Sequence, residues 1–261
     1  MENRMDIIIH TAGRADFKKQ HTLRYLHEAG VHCTLVVQAK EADKYRELVG
    51  PHSLYVLPDS IQRLAETRDH IIHDMPGSDH VVFMDDDLDF AVRRGDDRTK
   101  FRQPIPIDIM SMFEAMSYAL YEHPMVGIGS REGGNRVTAP VVYNTRIMRV
   151  LAFRRSYLKE RNLFFTPLVV MEDFHINLQI LRSGSDTAVL NDWVSNQRGG
   201  SDAPGGCSVY RSDIVQTESA RLLAARHPGF VKVVQKTTKT AWGGGTRTDV
   251  VVSWKKARAA V

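Results

Sequence analysis

Residues 81–90 read VVFMDDDLDF. A short apolar run of this kind is a buried strand when a parallel sheet is covered on both faces, and Asp85-Asp86-Asp87-Leu88-Asp89 leaves at its carboxyl end. Open α/β sheets take their ligands outside the carboxyl ends of the strands, so these acids stand where the chemistry of such a fold is expected. Hard divalent cations need oxygen ligands, and on an extended backbone residues two apart point the same way. Asp85 and Asp87 are therefore expected to converge on one ion, with Asp86 facing elsewhere. Carboxylates crowded at a strand end repel one another unless a cation is present, which disfavours a merely solvated turn. A calcium loop beginning at Asp85 fits poorly: Phe90 stands where that loop needs Gly, Asp96 replaces its bidentate Glu, and a strand precedes it.

Towards the amino terminus, short apolar strands alternate with amphipathic helices. Asp6–Thr11 (DIIIHT), Cys33–Gln38 and Leu54–Leu57 read as strands, and Phe17–Ala29 and Asp43–Val49 as helices stopped at Gly30 and Gly50-Pro51. After Pro58-Asp59-Ser60, residues Ile61, Leu64, Ala65, Arg68 and Ile72 follow the spacing of one helix face. Arg68 thus lies on an apolar face, where a guanidinium either snorkels to water or pairs with a carboxylate or phosphate. The alternation predicts an α/β fold with a Rossmann-like open sheet, mostly parallel, and helices on both faces.

Towards the carboxyl terminus, Ile107–Tyr121 reads as a helix and Val126–Ser130 as a strand. Residues 131–145 are Gly-rich and polar, and Arg146–Phe153 returns to strand. A helix beginning near Glu172 carries Phe174, Leu178 and Leu181 on one stripe and stops at Gly184; Ala188–Val194 closes the sheet, and Ser212–Arg226 is a further helix. Met171-Glu172-Asp173-Phe174-His175 places two acids at a helix start. A hydroxyl that attacks as a nucleophile must lose its proton, and a positioned carboxylate is the simplest general base. Asp173 is the first choice and Glu172 the second, although acids in a first helical turn are also favoured by the helix dipole alone.

The chain of 261 residues suffices for one substantial core, with 43% hydrophobic and 25% charged residues. Residues 1–200 are expected to form that core, with 201–261 a basic extension packed on the same domain. No apolar run approaches the roughly 18 residues of a membrane span. Two cysteines, Cys33 and Cys207, are too few for a disulfide framework and fit packed thiols in a reducing cytoplasm. From Arg221 onward there are nine Lys or Arg against one acid, Asp249, so that end carries +8 while the chain as a whole carries +4. Such a basic end suits an anionic partner, a diphosphate or nucleic acid, or else is a solvated tail.

DIIIHTAGR, AETRD, VVFMDDDLDF and MEDFHINLQILRSG, in that order, resemble the GT-A glycosyltransferases, especially inverting ones, over most of residues 6–200. The resemblance implies that Thr11, Gly13, Arg14, Arg68 and Asp86, together with Asp69, contact the nucleotide. It implies that Asp85 and Asp87 hold Mn or Mg with the donor diphosphate, and that Glu172 and Asp173 serve the acceptor. Enzymes of this type use a late third metal ligand, often His, which maps onto His227, without the neighbouring Asp that would strengthen the match. The segments NQRGGSDAPGGCSVYRS and ARHPGFVKVVQKTTK further resemble phage TET-associated glycosyltransferases. That narrower resemblance implies a host-cytoplasmic hexosyltransferase moving a sugar from a UDP-sugar such as UDP-glucose to 5-hydroxymethylcytosine in DNA. Gly133–Tyr143 and Arg198–Arg211 would then be acceptor contacts, with Tyr143 or Trp193 available for stacking. A sugar nucleotidyltransferase shares the sheet and the metal-binding acids, but HTAGRADFKK lacks the repeated glycines of that group. A non-catalytic DNA-binding module suits the basic tail and leaves the acids at the strand end unexplained.

Overall fold

A computed structural model describes residues 5–131, 137–197, 206, 210–237 and 245–260. β1 (Met5–His10), β2 (Thr34–Gln38), β3 (Ser53–Leu57) and β4 (His80–Asp85) are joined by α1 (His21–Glu28), α2 (Ala42–Arg46) and α3 (Leu64–His73). There follow β5 (Leu88–Arg93), the short β6 (Phe101–Arg102), α4 (Pro106–Ala119), β7 (Met125–Ser130), β8 (Val141–Tyr143) and β9 (Val150–Arg154). Then come α5 (Arg155–Glu160), α6 (Glu172–Arg182), β10 (Ala188–Gln197), α7 (Asp213–Arg226), β11 (Val231–Thr237), β12 (Thr246–Val252) and α8 (Trp254–Ala259).

Ten strands form one sheet in the order β3-β2-β1-β4-β9-β7-β10-β5-β6, with β8 beside β10. The first four strands, β6, β7 and β10 run one way and β5, β8 and β9 the other. The sheet is therefore mixed but mostly parallel, as the strand and helix alternation predicts. Successive side chains on a strand face opposite ways, and each face meets its own helices. Ile7 and Ile9 of β1 and Val82 and Met84 of β4 pack with Leu23 and Leu26 of α1 and Met112 and Met116 of α4. Ile8, Val81 and Phe83 pack on the other side with Ile71 and Ile72 of α3, Leu158 of α5, and Ile176 and Ile180 of α6. Cys33 is buried, and burial pushes its thiol up to about 12, so it is an inert packed group; Cys207 lies outside the described residues.

Residues 88–93, for which the sequence reading assigns no element, form β5, because Leu88, Phe90 and Val92 point into the protein while β10 supplies the ladder. The strand expected over 146–153 starts only at Val150. The basic tail contains the hairpin β11–β12 and the helix α8. Val231, Val233, Val250 and Val252 of the hairpin pack with Leu178 and Leu181 of α6 and Leu223 of α7. Charge dominates the composition there, yet the alternation VKVVQKT is that of a half-buried strand. Among the described residues no helix is long and apolar enough to cross a membrane.

Gly127 in β7 is required by its neighbours: a Cβ there would lie 2.2 Å from Ile147 Cγ2 and 3.0 Å from the Val150 carbonyl oxygen. Gly127→Ala should lower stability by roughly 1–3 kcal/mol through overpacking, read as a lower urea midpoint with an unchanged denaturant slope.

Candidate active site

β1, β2, β3, β4 and β10 end, and β5 and β9 begin, at one edge of the sheet, where His10 pairs Asp85, Met84 pairs Val150 and Gln197 pairs Leu88. A cavity of about 500 Å³ opens at that edge. Its lining includes Thr11, Arg14, Arg68, the three consecutive aspartates, Glu172 and Asp173. Eight residues singled out in the sequence, from segments as far apart as Thr11 and Asp173, thus face one space.

β4 stops at Asp85, and Asp86-Asp87 form the turn into β5. Thr22, in α1, holds that turn. Its backbone N–H donates to the Asp86 carbonyl at 3.1 Å, its hydroxyl donates to the Asp85 carbonyl at 2.5 Å, and the same hydroxyl accepts from the Leu88 N–H at 3.0 Å. Alternation therefore ends one residue earlier than the strand-based expectation needs. Asp86 and Asp87 share the Arg14 guanidinium, the second at 3.0 Å, whereas Asp85 lies towards Arg68 at 4.0 Å. Asp86 also accepts from the Thr11 hydroxyl at 2.6 Å, so it faces the cavity wall rather than away from the site. Asp87 Oδ2 accepts from Gln197 Nε2 at 3.1 Å, while Asp87 Oδ1 is buried without a hydrogen-bond partner. An orphaned buried carboxylate oxygen is rare and marks a place prepared for a cation or donor. Burial pushes the Asp85 carboxyl up to about 7, with Arg68 opposing and Asp87 and Asp86 adding to the rise. Burial likewise raises Asp86 to about 6 against the pull of Arg14. The crowded anions are incompletely neutralised by the two arginines.

Arg68 settles its two sequence alternatives by pairing. It is 2% exposed, donates to Glu172 Oε1 at 2.8 Å, and lies over the rings of Phe83 and Phe165. Burial raises the Glu172 carboxyl and Arg68 opposes that rise. Glu172 is thereby committed to an ion pair, while the half-buried Asp173 has no hydrogen-bond partner among the described residues. Met171, just before them, has φ of 67°, and Arg149, also in the lining, has φ of 67°. Left-handed backbone at residues with a Cβ costs on the order of 1 kcal/mol each and concentrates at functional sites.

The family model of the TET-associated glycosyltransferases matches residues 5–206. The chain belongs to that family. No curated protein matches the sequence. In chain path this glycosyltransferase is similar to a putative nucleotide-diphospho-sugar transferase from Desulfovibrio desulfuricans G20, at 12% identity over 86% of this chain and 98% of that one, with a TM-score of 0.45. It is similar to the glycosyltransferase GlyE of Streptococcus pneumoniae TIGR4, at 12% identity over 72% of this chain and 46% of that one, with a TM-score of 0.47. A putative glucose-1-phosphate thymidylyltransferase from Bacillus anthracis is similar at 14% identity over 75% of this chain and 90% of that one, with a TM-score of 0.46.

Other residues implicated by resemblance are not among those that line the cavity. Gly13 is exposed, and Glu41 accepts from its backbone N–H at 2.9 Å. Asp69 is occupied by structure, accepting from the backbone of Phe165 and Thr166 and from the Thr166 hydroxyl. His227 is not a lining residue: its Nε2 sits 2.7 Å from His175 Nδ1 and its Nδ1 3.1 Å from Arg182. With both ring nitrogens engaged and the residue 1% exposed, it is a packed histidine. Tyr143 pairs with Ala188, at the end of β10 remote from the cavity, and the Trp193 indole donates to the Asp108 carbonyl at 2.8 Å. Residues 132–136 and most of 198–211 lie outside the described set. Tyr210 and Arg211, from the segment expected to contact the acceptor, do line the cavity, as do Arg149, Gln197, Arg247 and Asp249, which no local pattern marks as site residues.

Burial lowers His175 to about 4, helped by Arg226, and lowers His227 to about 3, helped by His175 and Arg182. Below the ordinary histidine value the unfolded chain binds protons that the folded chain refuses, so stability falls with pH from about 6.5 towards 4. Urea midpoints taken at about pH 7 and about pH 4.5 should show a smaller loss for His227→Gln than for the wild type.

Proposed function

We propose that this transferase moves a hexose from a nucleoside-diphosphate sugar, a UDP-sugar, to the hydroxymethyl group of 5-hydroxymethylcytosine in DNA, with inversion and with a divalent cation. Family membership supports sugar transfer and a nucleotide-sugar donor. The observation that carries the rest is that Asp173, a carboxylate with no hydrogen-bond partner among the described residues, shares a cavity with the acidic turn at the end of β4.

The residues at that turn fit a cation bound partly through its substrate. Among the described residues no group of three His, Cys, Asp or Glu side chains could hold a metal ion by itself. Mg²⁺-type sites characteristically use one or two carboxylates and take their remaining ligands from substrate phosphates and water. Asp85, whose contact with Arg68 is too long for a hydrogen bond, and Asp87, through its orphaned Oδ1, would hold the ion. When bound it supplies positive charge for the departing diphosphate.

The protein's own groups do the remainder. Arg14 keeps Asp86 and Asp87 close despite their repulsion, and Arg68 fixes Glu172 so that the adjacent Asp173 is held at the cavity wall. The acceptor hydroxyl oxygen forms the new bond to the sugar's anomeric carbon as the bond to the diphosphate oxygen breaks. Its proton passes to Asp173, and the leaving electrons stay on the diphosphate.

Incubating the protein with hydroxymethylated DNA, Mn²⁺ and a panel of nucleotide sugars should add one hexose to the modified nucleoside, read by mass after digestion. No mass gain across the panel would end the DNA reading. Asp87→Asn should reduce transfer at least a hundredfold, yet leave DNA affinity equal or higher because a negative charge is lost. Asp173→Asn should lower kcat by roughly 10²–10⁴ while the donor KM stays within about twofold. A fall in donor affinity with kcat intact would remove Asp173 from the role of base.

A further inference from the structure

The cavity wall does not end where the family match ends. Residues 5–206 carry the match, but Tyr210, Arg211, Gln216, Arg247 and Asp249 complete the lining from beyond it. Two of these, Arg247 and Asp249, belong to β12, whose hairpin with β11 is a separate two-stranded sheet.

The register sorts the hairpin's side chains. Residues two apart on a strand share a face, and directly paired residues on the two strands share it too. Val231, Val233, Val250 and Val252 fall on the face buried against α6 and α7. The opposite face carries Lys232 paired with Val251, Val234 with Asp249, and Lys236 with Arg247. Three cations and one acid therefore occupy that outer face, and its Arg247 and Asp249 also line the cavity. Asp249 accepts from Lys236 at 3.2 Å and from Arg247 at 3.1 Å, which ties both cations to a residue of the lining, and Lys236 Nζ also donates to the Val250 carbonyl at 3.3 Å. Lys232 is exposed, and among the described residues it has no ion-pair partner.

We infer that the outer face of the β11–β12 ribbon is the track on which the acceptor DNA lies, with Lys232 and Lys236 contacting backbone phosphates next to the cavity. The inference rests on the acceptor proposed above and names the surface that holds it. Charge complementarity selects the occupant: the ribbon is an elongated basic strip joined to the site, and DNA is an elongated polyanion. At about 3.3 Å per residue, Lys232 and Lys236 are roughly 13 Å apart along the strand. Duplex DNA presents one charge per about 1.7 Å of axis, so the two lysines meet different phosphates. Contacts of this kind hold the substrate in register without reading its sequence.

The test uses the full chain and a fluorescein-labelled duplex of about 20 base pairs, hydroxymethylated or not, followed by anisotropy across salt concentrations. The Lys232→Gln/Lys236→Gln double variant should weaken binding equally on both duplexes and reduce the slope of log affinity against log salt by about 2. In Lys232→Gln, binding of the free nucleoside diphosphate and the urea midpoint should both match the wild type, which separates loss of the track from loss of the fold. Lys232→Gln alone should reduce the slope by about 1, and it leaves the Asp249 contacts intact. Wild-type slope and affinity in both variants would overturn the inference, as would a wild-type protein with no salt-dependent DNA binding. If the variants keep their slope while the wild type glycosylates DNA, the track is wrong and the acceptor stands. If the variants lose slope while no sugar is ever transferred, the acceptor is wrong and the track stands.

Discussion

The Arg68–Glu172 ion pair joins α3 to α6 across the site, between residues 104 positions apart in the chain. It brings an early strand-helix unit and a late helix to the same cavity, and it sets one guanidinium among Asp85, Glu172 and two aromatic rings. A buried pair of this kind is not a large net source of stability, because desolvation offsets much of the attraction. Its effect is positional: removing either partner leaves an uncompensated charge, so the packing around it is restricted to arrangements that keep both. Arg14 does the same at the other end of the acidic turn. Together the two arginines allow several carboxylates to share a small space while leaving oxygens uncommitted.

That balance explains the protonation pattern. Asp85 and Asp86 are both displaced upwards by burial, and each has its arginine as the main opposing influence. Protonation relieves the cost of burying each anion, so with its carboxyl pushed up to about 7, Asp85 is divided between its neutral and charged forms at neutral pH.

Most of the α/β framework was legible because buried strands and amphipathic helices have different periods, and the first four strands and three helices follow theirs closely. Arg68 was legible for the same reason, since a charge on an apolar stripe demands a partner. The acidic run could be located but not oriented: its side-chain directions depend on where β4 yields to a turn, and Thr22, more than sixty residues earlier, decides that. His227 misled because a lone late histidine looks the same in sequence whether it binds a ligand or pairs with His175. The hairpin was obscured by its charge. Arg149 and Arg247 were invisible because residues brought together from separate elements leave no local pattern.

The path between β4 and β5 has a consequence for how the protein is made. These strands are neighbours in sequence, yet β9, β7 and β10 lie between them in the sheet, and β5 pairs with β10 and β6 instead of β4. The turn's contacts with Thr11, Arg14 and Thr22 can form early, but the β10 ladder of β5 and the Gln197 contact to Asp87 wait until residues near 190 have emerged. Non-local pairing of this sort slows folding, because chain closure comes before the contacts that reward it. On a growing polypeptide the first four strands can assemble early, but three adjacent aspartates remain without their final surroundings. The acidic end of the cavity is thus completed late, once β10 has docked beside β5 and Gln197 has reached Asp87.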